Sequence, residues 1–289
     1  MNFEPREELA VTDRFLMCAP DHFEVAYVIN PWMEGNVACG NNDVAARQWN
    51  ALARLVGNIA QVERVTAAPG VPDMVFTANA GLILENKFVL SRFRHEQRQA
   101  EEPHFAKWFA EHDFDVLTLP DDMPFEGAGD ALLDRREPLL WLGYGHRSDQ
   151  ACAPLLADWL DIDVEPLRLV NQRFYHLDTC FCPLEGGYLM YYPAAFDAAS
   201  QARIAAHVPA EYRITVADAD AFDFACNAVN CGRNIFLNRA SDALVGELSS
   251  RGFVVQQTPL TEFMKAGGSA KCLTLKLTEA RIPAVQAVA

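Results

Sequence analysis

Cys272, His176 and Glu126 are the residues of this chain best suited to covalent chemistry at an electrophilic carbon. A thiolate can attack, an imidazole can protonate the leaving group and then activate water, and a carboxylate can orient the imidazole. Cys272 closes the stretch Ala266-Gly267-Gly268-Ser269-Ala270-Lys271 and leads into Leu273-Thr274-Leu275-Lys276-Leu277. The glycine pair lets the backbone bend closely around something bound. The alternating apolar run predicts a strand that holds the cysteine rigidly. Lys271 sets a cation beside the thiol, one way to favour the thiolate. Each feature alone has a plainer explanation, since cysteine is commonly a small core residue and a single histidine or acidic turn residue is commonly structural. His176 stands out among seven histidines because His176-Leu177-Asp178 sets Asp178 on the same side of an expected strand. Glu126 lies in Phe125-Glu126-Gly127-Ala128-Gly129-Asp130, where glycines permit close backbone approach.

These residues are far apart in sequence, so the elements between them must bring them together. Strands are expected at 14–19 and 24–29, the second ending at Asn30-Pro31-Trp32-Met33. Asn41-Asn42-Asp43 can cap a helix carrying Val44, Trp49, Leu52, Leu55 and Ile59 at helical spacing, ahead of a strand at 62–66. Asn79 then precedes paired strands at 81–85 and 87–92, a helix at 96–111 and a strand at 114–119. The same order recurs. Glu126 precedes strands at 130–134 and 139–142, a helix at 149–160 and a strand at 163–169. His176 precedes strands at 179–184 and 187–192, a helix at 198–207 and a strand at 212–216. Asn227 marks strands at 226–230 and 234–238, a helix at 241–250 and a strand at 253–257. Cys272 opens a final strand with no partner downstream.

The markers Asn30, Asn79, Glu126, His176, Asn227 and Cys272 are separated by 49, 47, 50, 51 and 45 residues. A regular structural period with little sequence identity marks a repeat architecture. Each unit needs three strands and one helix, and the N-terminal segment can supply the strand missing from the last unit. That closes a ring and removes exposed sheet edges. On periodicity alone a large open α/β sheet remains the alternative. In a closed ring, Asn79, Glu126, His176 and Cys272 converge on the axis.

Composition bounds the classes open to the chain. With 289 residues, 51% of them apolar, it is globular and long enough for a substantial core. The formal net charge of −15, with no offsetting basic stretch, argues against nucleic-acid binding and is compatible with a cationic small substrate. No apolar run reaches membrane-spanning length, and Met1–Glu8 has neither signal nor anchor character. The eight scattered cysteines are expected to be reduced thiols of a cytoplasmic protein. Cys180-Phe181-Cys182 and the pair Cys226 and Cys231 lack zinc-site spacing, and alternating strand positions explain the first pair better.

Four motifs in order carry a family resemblance across nearly the whole chain. They are Phe76-Thr77-Ala78-Asn79, Phe125-Glu126-Gly127-Ala128-Gly129-Asp130, His176-Leu177-Asp178 and Gly267-Gly268-Ser269-Ala270-Lys271-Cys272. Together they resemble the guanidine-modifying superfamily of arginine deiminases, dimethylargininases, amidinotransferases and arginine dihydrolases. The resemblance implies a single catalytic domain over 1–289 with the five-bladed α/β-propeller fold, built from pseudo-fivefold ββαβ repeats. It implies a thiouronium intermediate on Cys272, with His176 as general acid and base, Glu126 beside it, and no metal or organic cofactor. Asp178 resembles the carboxylate that grips the guanidinium, whose planar fork suits two oxygens. Arg98 and Arg147 resemble the arginines that hold the substrate's α-carboxylate, a task for which a permanently charged bidentate fork is suited. The partner so implied is a small molecule, arginine or a methylated arginine; assembly into identical copies is left open.

Asn79 separates the subclasses. Deiminases of this superfamily usually carry aspartate here, whereas an amide offers one acceptor and one donor without charge. Such a group can pair with the neutral ureido oxygen of citrulline. Met17-Cys18-Ala19-Pro20-Asp21-His22-Phe23 and Tyr27-Val28-Ile29-Asn30-Pro31-Trp32-Met33 also resemble the arginine dihydrolases, which release ornithine, ammonia and carbon dioxide. Asn30 is then expected either to touch substrate near its α-amino group or to cap a turn. The expectation is an arginine dihydrolase. A deiminase or dimethylargininase that stops at citrulline is the alternative within the superfamily, amidinotransferase is disfavoured, and a silent arginine-binding sensor is the alternative outside enzymes.

Overall fold

The computed structural model describes residues 13–282; the Met1–Glu8 reading lies outside them. Five three-stranded sheets make up the ring, each with a middle strand antiparallel to the first and parallel to the third. The first sheet holds β1 (Arg14–Cys18) and β2 (Gln61–Val65), linked by α1 (Asn42–Gly57). The second runs through β3 (Gly81–Leu84), β4 (Lys87–Leu90), α2 (Glu96–Gln99), α3 (Glu102–Ala110) and β5 (Asp115–Thr118). The third runs through β6 (Ala131–Leu133), β7 (Leu139–Tyr144), α4 (Cys152–Leu160) and β8 (Asp163–Arg168). The fourth comprises β9 (Phe181–Leu184), β10 (Tyr188–Tyr191), α5 (Ala198–His207) and β11 (Arg213–Thr215), followed by α6 (Asp218–Phe222). The fifth comprises β12 (Val229–Cys231), β13 (Asn234–Leu237), α7 (Asp242–Ser250) and β14 (Val254–Gln257), followed by α8 (Thr261–Met264).

The ring closes at its two ends. β15 (Leu275–Lys276) pairs antiparallel with β1, Phe15 opposite Lys276 and Leu16 opposite Leu275. Each blade therefore follows the ββαβ order, and the architecture is a five-bladed α/β-propeller. Blade helices start where a polar side chain satisfies a free amide: Asn41 accepts from Val44, Asp197 from Ser200 and Ser241 from Leu244, each cap contributing about 1 kcal/mol. They stay by burying one face. α1 buries Ala45, Trp49, Leu52 and Val56 against Phe15, Met17, Phe236 and Phe263, at roughly 1.5–3 kcal/mol per large side chain.

Five local expectations differ from the structure. Residues 24–29 form no strand: Val25 is buried, but each sheet already has three paired strands, so the segment crosses the ring as an irregular strap. The helix expected over 96–111 is split into α2 and α3, because Pro103 has no N–H for the ladder. The buried face of α1 runs through Ala45 and Val56, while Ile59 is exposed. Cys272 lies in a turn before the short β15, and Asp178 lies in the 3-10 turn Leu177–Thr179 rather than on a strand.

Candidate active site

The turns that enter the first strand of each blade gather at one end of the ring. Asn79 lies in the turn before β3, Glu126 caps the turn before β6, His176 caps the turn before β9, and Asn227 and Cys272 precede β12 and β15. Close packing of these turns requires glycine. A Cβ on Gly129 would overlap the Asn79 amide nitrogen and press on the His176 ring. Gly267 has φ +89°, and a Cβ there would meet the Tyr175 hydroxyl at 2.8 Å and Asn30 Oδ1 at 2.9 Å.

Glu126 is the hub. Its Oε2 lies 2.6 Å from His176 Nε2 and 3.0 Å from Arg147 Nη1, and its Oε1 accepts from the Arg94 amide at 3.3 Å. Burial opposes its charge, yet Arg147 and His176 hold the carboxyl well below the usual carboxylate range. An ionised Glu126 only accepts, so His176 Nε2 carries the proton in this bond. His176 Nδ1 is buried with no hydrogen-bond partner, and it is the nitrogen left for a reacting group. Asp130 sets the two turns relative to each other. It accepts from Ser148 N at 3.1 Å, Ser148 Oγ at 2.6 Å and Leu177 N at 3.1 Å, while Ser148 Oγ accepts from the Glu126 amide at 2.9 Å.

The nucleophile has its own cluster. Cys272 Sγ lies 3.3 Å from Asp178 Oδ2 and 3.1 Å from Asn227 Nδ2. Burial, followed by the charge of Asp178, pushes the thiol well above its ordinary value. Burial also pushes the Asp178 carboxyl up to about 7, against the pull of Lys271. Asp178 Oδ1 is buried and unpartnered. Lys271 itself is half-buried and lines a separate cavity of about 50 Å3 with Arg135, Cys182 and Glu279. None of Asn79, Glu126, His176, Asp178 or Cys272 lines it. Burial lowers the Lys271 pKa, with Asp178 and Glu279 opposing.

Asn79 and the arginines complete the site. Asn79 Oδ1 accepts from Arg98 Nη1 at 2.9 Å, and its Nδ2 donates weakly to the Glu126 carbonyl at 3.4 Å. Arg98 makes a two-point bond to Glu101, 2.7 and 2.8 Å, and also donates to the Asp73 carbonyl. Arg147 donates to the Ile29 carbonyl at 2.9 Å and stacks over Tyr175 at 4.6 Å. Asn30 donates to the Ala266 carbonyl at 3.0 Å and accepts from the Trp32 amide at 2.9 Å. It thus caps a turn and ties the strap to the cysteine loop. All eight expected residues are buried. Glu126, His176, Asp178 and Cys272 are at most 2% exposed.

Residues 42–279 match the family model described as N,N dimethylarginine dimethylhydrolase, eukaryotic. The chain belongs to this family. Within it, the chain is 37% identical over 94% of its length to the N(G),N(G)-dimethylarginine dimethylaminohydrolase of Mycobacterium tuberculosis, 88% of which is covered. Identity is 58% over 92% of the chain to AgrE of a Nostoc species, named a bifunctional arginine dihydrolase/ornithine cyclodeaminase. ArgZ of a Synechocystis species, with the same description, is 56% identical over 95% of the chain. The chain spans 38% of AgrE and 39% of ArgZ. The solved N-terminal domain of ArgZ, a cysteine-to-serine variant bound to substrate, superposes with a TM-score of 0.93 at 56% identity, covering 93% of this chain and all of that one. An asparagine-to-serine variant of the same domain is covalently bonded to a reaction intermediate, also at TM-score 0.93.

Three buried groups at the site go beyond the eight. Asn227 touches the sulfur. Asp73 accepts from Tyr27 at 2.8 Å and leaves Oδ1 unpartnered. Glu101 holds Arg98. The regular spacing marked Asn227 as a position on the axis but gave it no role. Glu101 stands three residues after Arg98, a spacing that pairs side chains on a helix, and nothing in the local sequence of Asp73 singles it out. Among the described residues no group of three or more His, Cys, Asp or Glu side chains is placed to hold a metal ion, and no helix is long and apolar enough to cross a membrane. All eight cysteines are free thiols.

Proposed function

We propose that the chain, acting as one catalytic domain, hydrolyses the guanidino group of L-arginine twice, giving ornithine, two ammonia and carbon dioxide. The observation that carries this reading is a nucleophile–carboxylate pair, Cys272 and Asp178 at 3.3 Å, joined to the turn of the uncharged Asn79 by the Ala78 amide, which donates to the Cys272 carbonyl at 3.1 Å. The likeness to AgrE and ArgZ over more than nine tenths of the chain supports it. In the first round the Cys272 thiolate attacks the guanidinium carbon, which Asp178 grips through its open oxygen. His176 Nδ1 gives the proton that lets ammonia leave, so a C–S bond replaces a C–N bond. Water deprotonated by His176 then attacks, and the C–S bond breaks to give the ureido group.

In the second round Cys272 attacks that ureido carbon and the second ammonia leaves. Water releases a carbamate, which loses carbon dioxide to give ornithine. Two waters are consumed in all, which balances the products. Arg147 is the better placed of the two arginines to hold the α-carboxylate. It meets Glu126 through a single contact and a strap carbonyl through another, whereas Arg98 is held by a two-point bond to Glu101. The open oxygen of Asp73 offers a place for a cationic group of the substrate. The test is peptide mass spectrometry on a reaction with arginine quenched in turnover. A substrate-derived adduct on Cys272, absent from inactive Cys272→Ser, is expected; arginine consumption by the serine variant, or an adduct on another cysteine, refutes the assignment.

A further inference from the structure

The Cys272 sulfur lies between an acceptor and a donor, and the donor is fixed in orientation. Asn227 is fully buried. Its Oδ1 accepts from the amides of Ser269 at 3.0 Å and Cys272 at 3.1 Å. Its Nδ2 donates to the Asp178 carbonyl at 3.1 Å and lies 3.1 Å from Cys272 Sγ. Two backbone N–H groups can only face an oxygen, and a backbone carbonyl can only face the NH2 group. The amide therefore cannot be flipped, all four of its hydrogen-bonding places are used, and one N–H is committed to the sulfur. A hydrogen-bond donor is matched by the lone pairs of a thiolate; Asp178 Oδ2 on the other side is matched by the S–H of a thiol. The sulfur thus has a built partner for each protonation state.

We propose that Asn227 is a further catalytic residue, whose side-chain N–H stabilises the Cys272 thiolate and sustains it when the group under attack is the neutral ureido carbon. The second clause rests on the two-step reading above. In the first round the substrate's own guanidinium lies against the sulfur and favours its charge. In the second round that cation is gone. The thiol proton then passes to Asp178 Oδ2, and the charge left on sulfur is met by Asn227 Nδ2. The C–S bond forms from this thiolate, the C–N bond to the departing ammonia breaks with a proton from His176, and Asp178 returns its proton when water releases the sulfur. Lys271, the other cation within reach of Asp178 and Cys272, lines the separate cavity and has no such directed contact.

The decisive variant is Asn227→Asp. It keeps an oxygen for the Ser269 and Cys272 amides and replaces only the donor, by an acceptor. Asn227→Ala removes the donor without adding charge, together with the oxygen that the two amides face, and serves if the aspartate variant does not fold. Two readings are taken on variants whose thermal unfolding shows a folded protein. Iodoacetamide alkylation of Cys272 in the substrate-free enzyme at pH 8, followed by peptide mass spectrometry, is expected to slow at least ten-fold. The ornithine-to-citrulline ratio from arginine is expected to fall at least ten-fold, because the second round suffers most. A folded variant that alkylates at the wild-type rate or faster overturns the thiolate role. An unchanged product ratio overturns the second-round role. A wild type that itself stops at citrulline overturns the two-step reading, and the alkylation rates still decide the first clause.

Discussion

Replacing Glu126 by glutamine removes one negative charge from the centre of the site with almost no change in shape. Glu126 is fully buried and receives the Arg147 guanidinium at 3.0 Å and the His176 ring at 2.6 Å. The variant leaves the Arg147 charge with only the Ile29 carbonyl and the Tyr175 ring. Breaking one side of a buried ion pair costs about 3–5 kcal/mol, so the unfolding constant should rise by roughly two to four orders of magnitude. Urea denaturation at pH 7 measures this directly, with an unchanged slope showing that the same two states are compared. The pH dependence gives a second check. The folded pKa of Glu126 lies below its ordinary value of 4.5, so its stabilising effect is present above that pH and is lost as pH falls through the folded value. The gap between wild type and Glu126→Gln should therefore be full at neutral pH and narrow in acid. Turnover should fall by about 10²–10⁴, the range of a lost general acid–base function, because His176 loses the group that fixes its tautomer. A difference under about 1 kcal/mol at pH 7, or one that does not narrow in acid, refutes Glu126 as the ionised hub.

Two further outcomes are expected. Arg147→Lys should raise the KM for arginine far more than it lowers kcat, since an ammonium cannot reproduce a two-point contact; agmatine, lacking the carboxylate, should be a poor substrate of the wild type, and equal efficiency on both would remove the clamp. Because burial pushes Asp178 up to about 7, the carboxylate that grips the cation is gained as pH rises through that value. The KM for arginine should accordingly fall across it, and Asp178→Asn should raise KM and abolish that dependence in steady-state kinetics.

The axial positions were legible in the sequence because every blade must turn its chain at the same end before its first strand, which repeats one polar residue at a near-constant interval. Ring closure was legible because Cys272 leads into an apolar run with no later partner, while Arg14–Cys18 had a free side. The strap was not legible. Residues 24–29 have the composition of a strand, and whether a sheet edge is free for them is a property of the ring. The spacing of His176 and Asp178 fits strand alternation, but the chain turns in a 3-10 bend there, and both side chains are buried by that route. Asn227 shows the limit most sharply. Its position fits the period, yet its partners are Ser269, Cys272 and Asp178, contacts between blades that no local pattern encodes.

The account turns on whether the ureido group is attacked before it leaves, and Asn79 is the residue that separates the outcomes. Its uncharged amide sits between Arg98 and the Glu126 carbonyl, where an aspartate would set its oxygens against a ureido oxygen while favouring the cationic guanidinium. The most direct measurement counts ammonia against ornithine and citrulline in one reaction of the wild-type protein with arginine, and repeats the count with Asn79→Asp. Two ammonia per arginine with ornithine are expected from the wild type, and no ornithine from Asn79→Asp, with citrulline as its product where it turns over. One ammonia per arginine with citrulline as the wild-type end product contradicts the two-step hydrolysis.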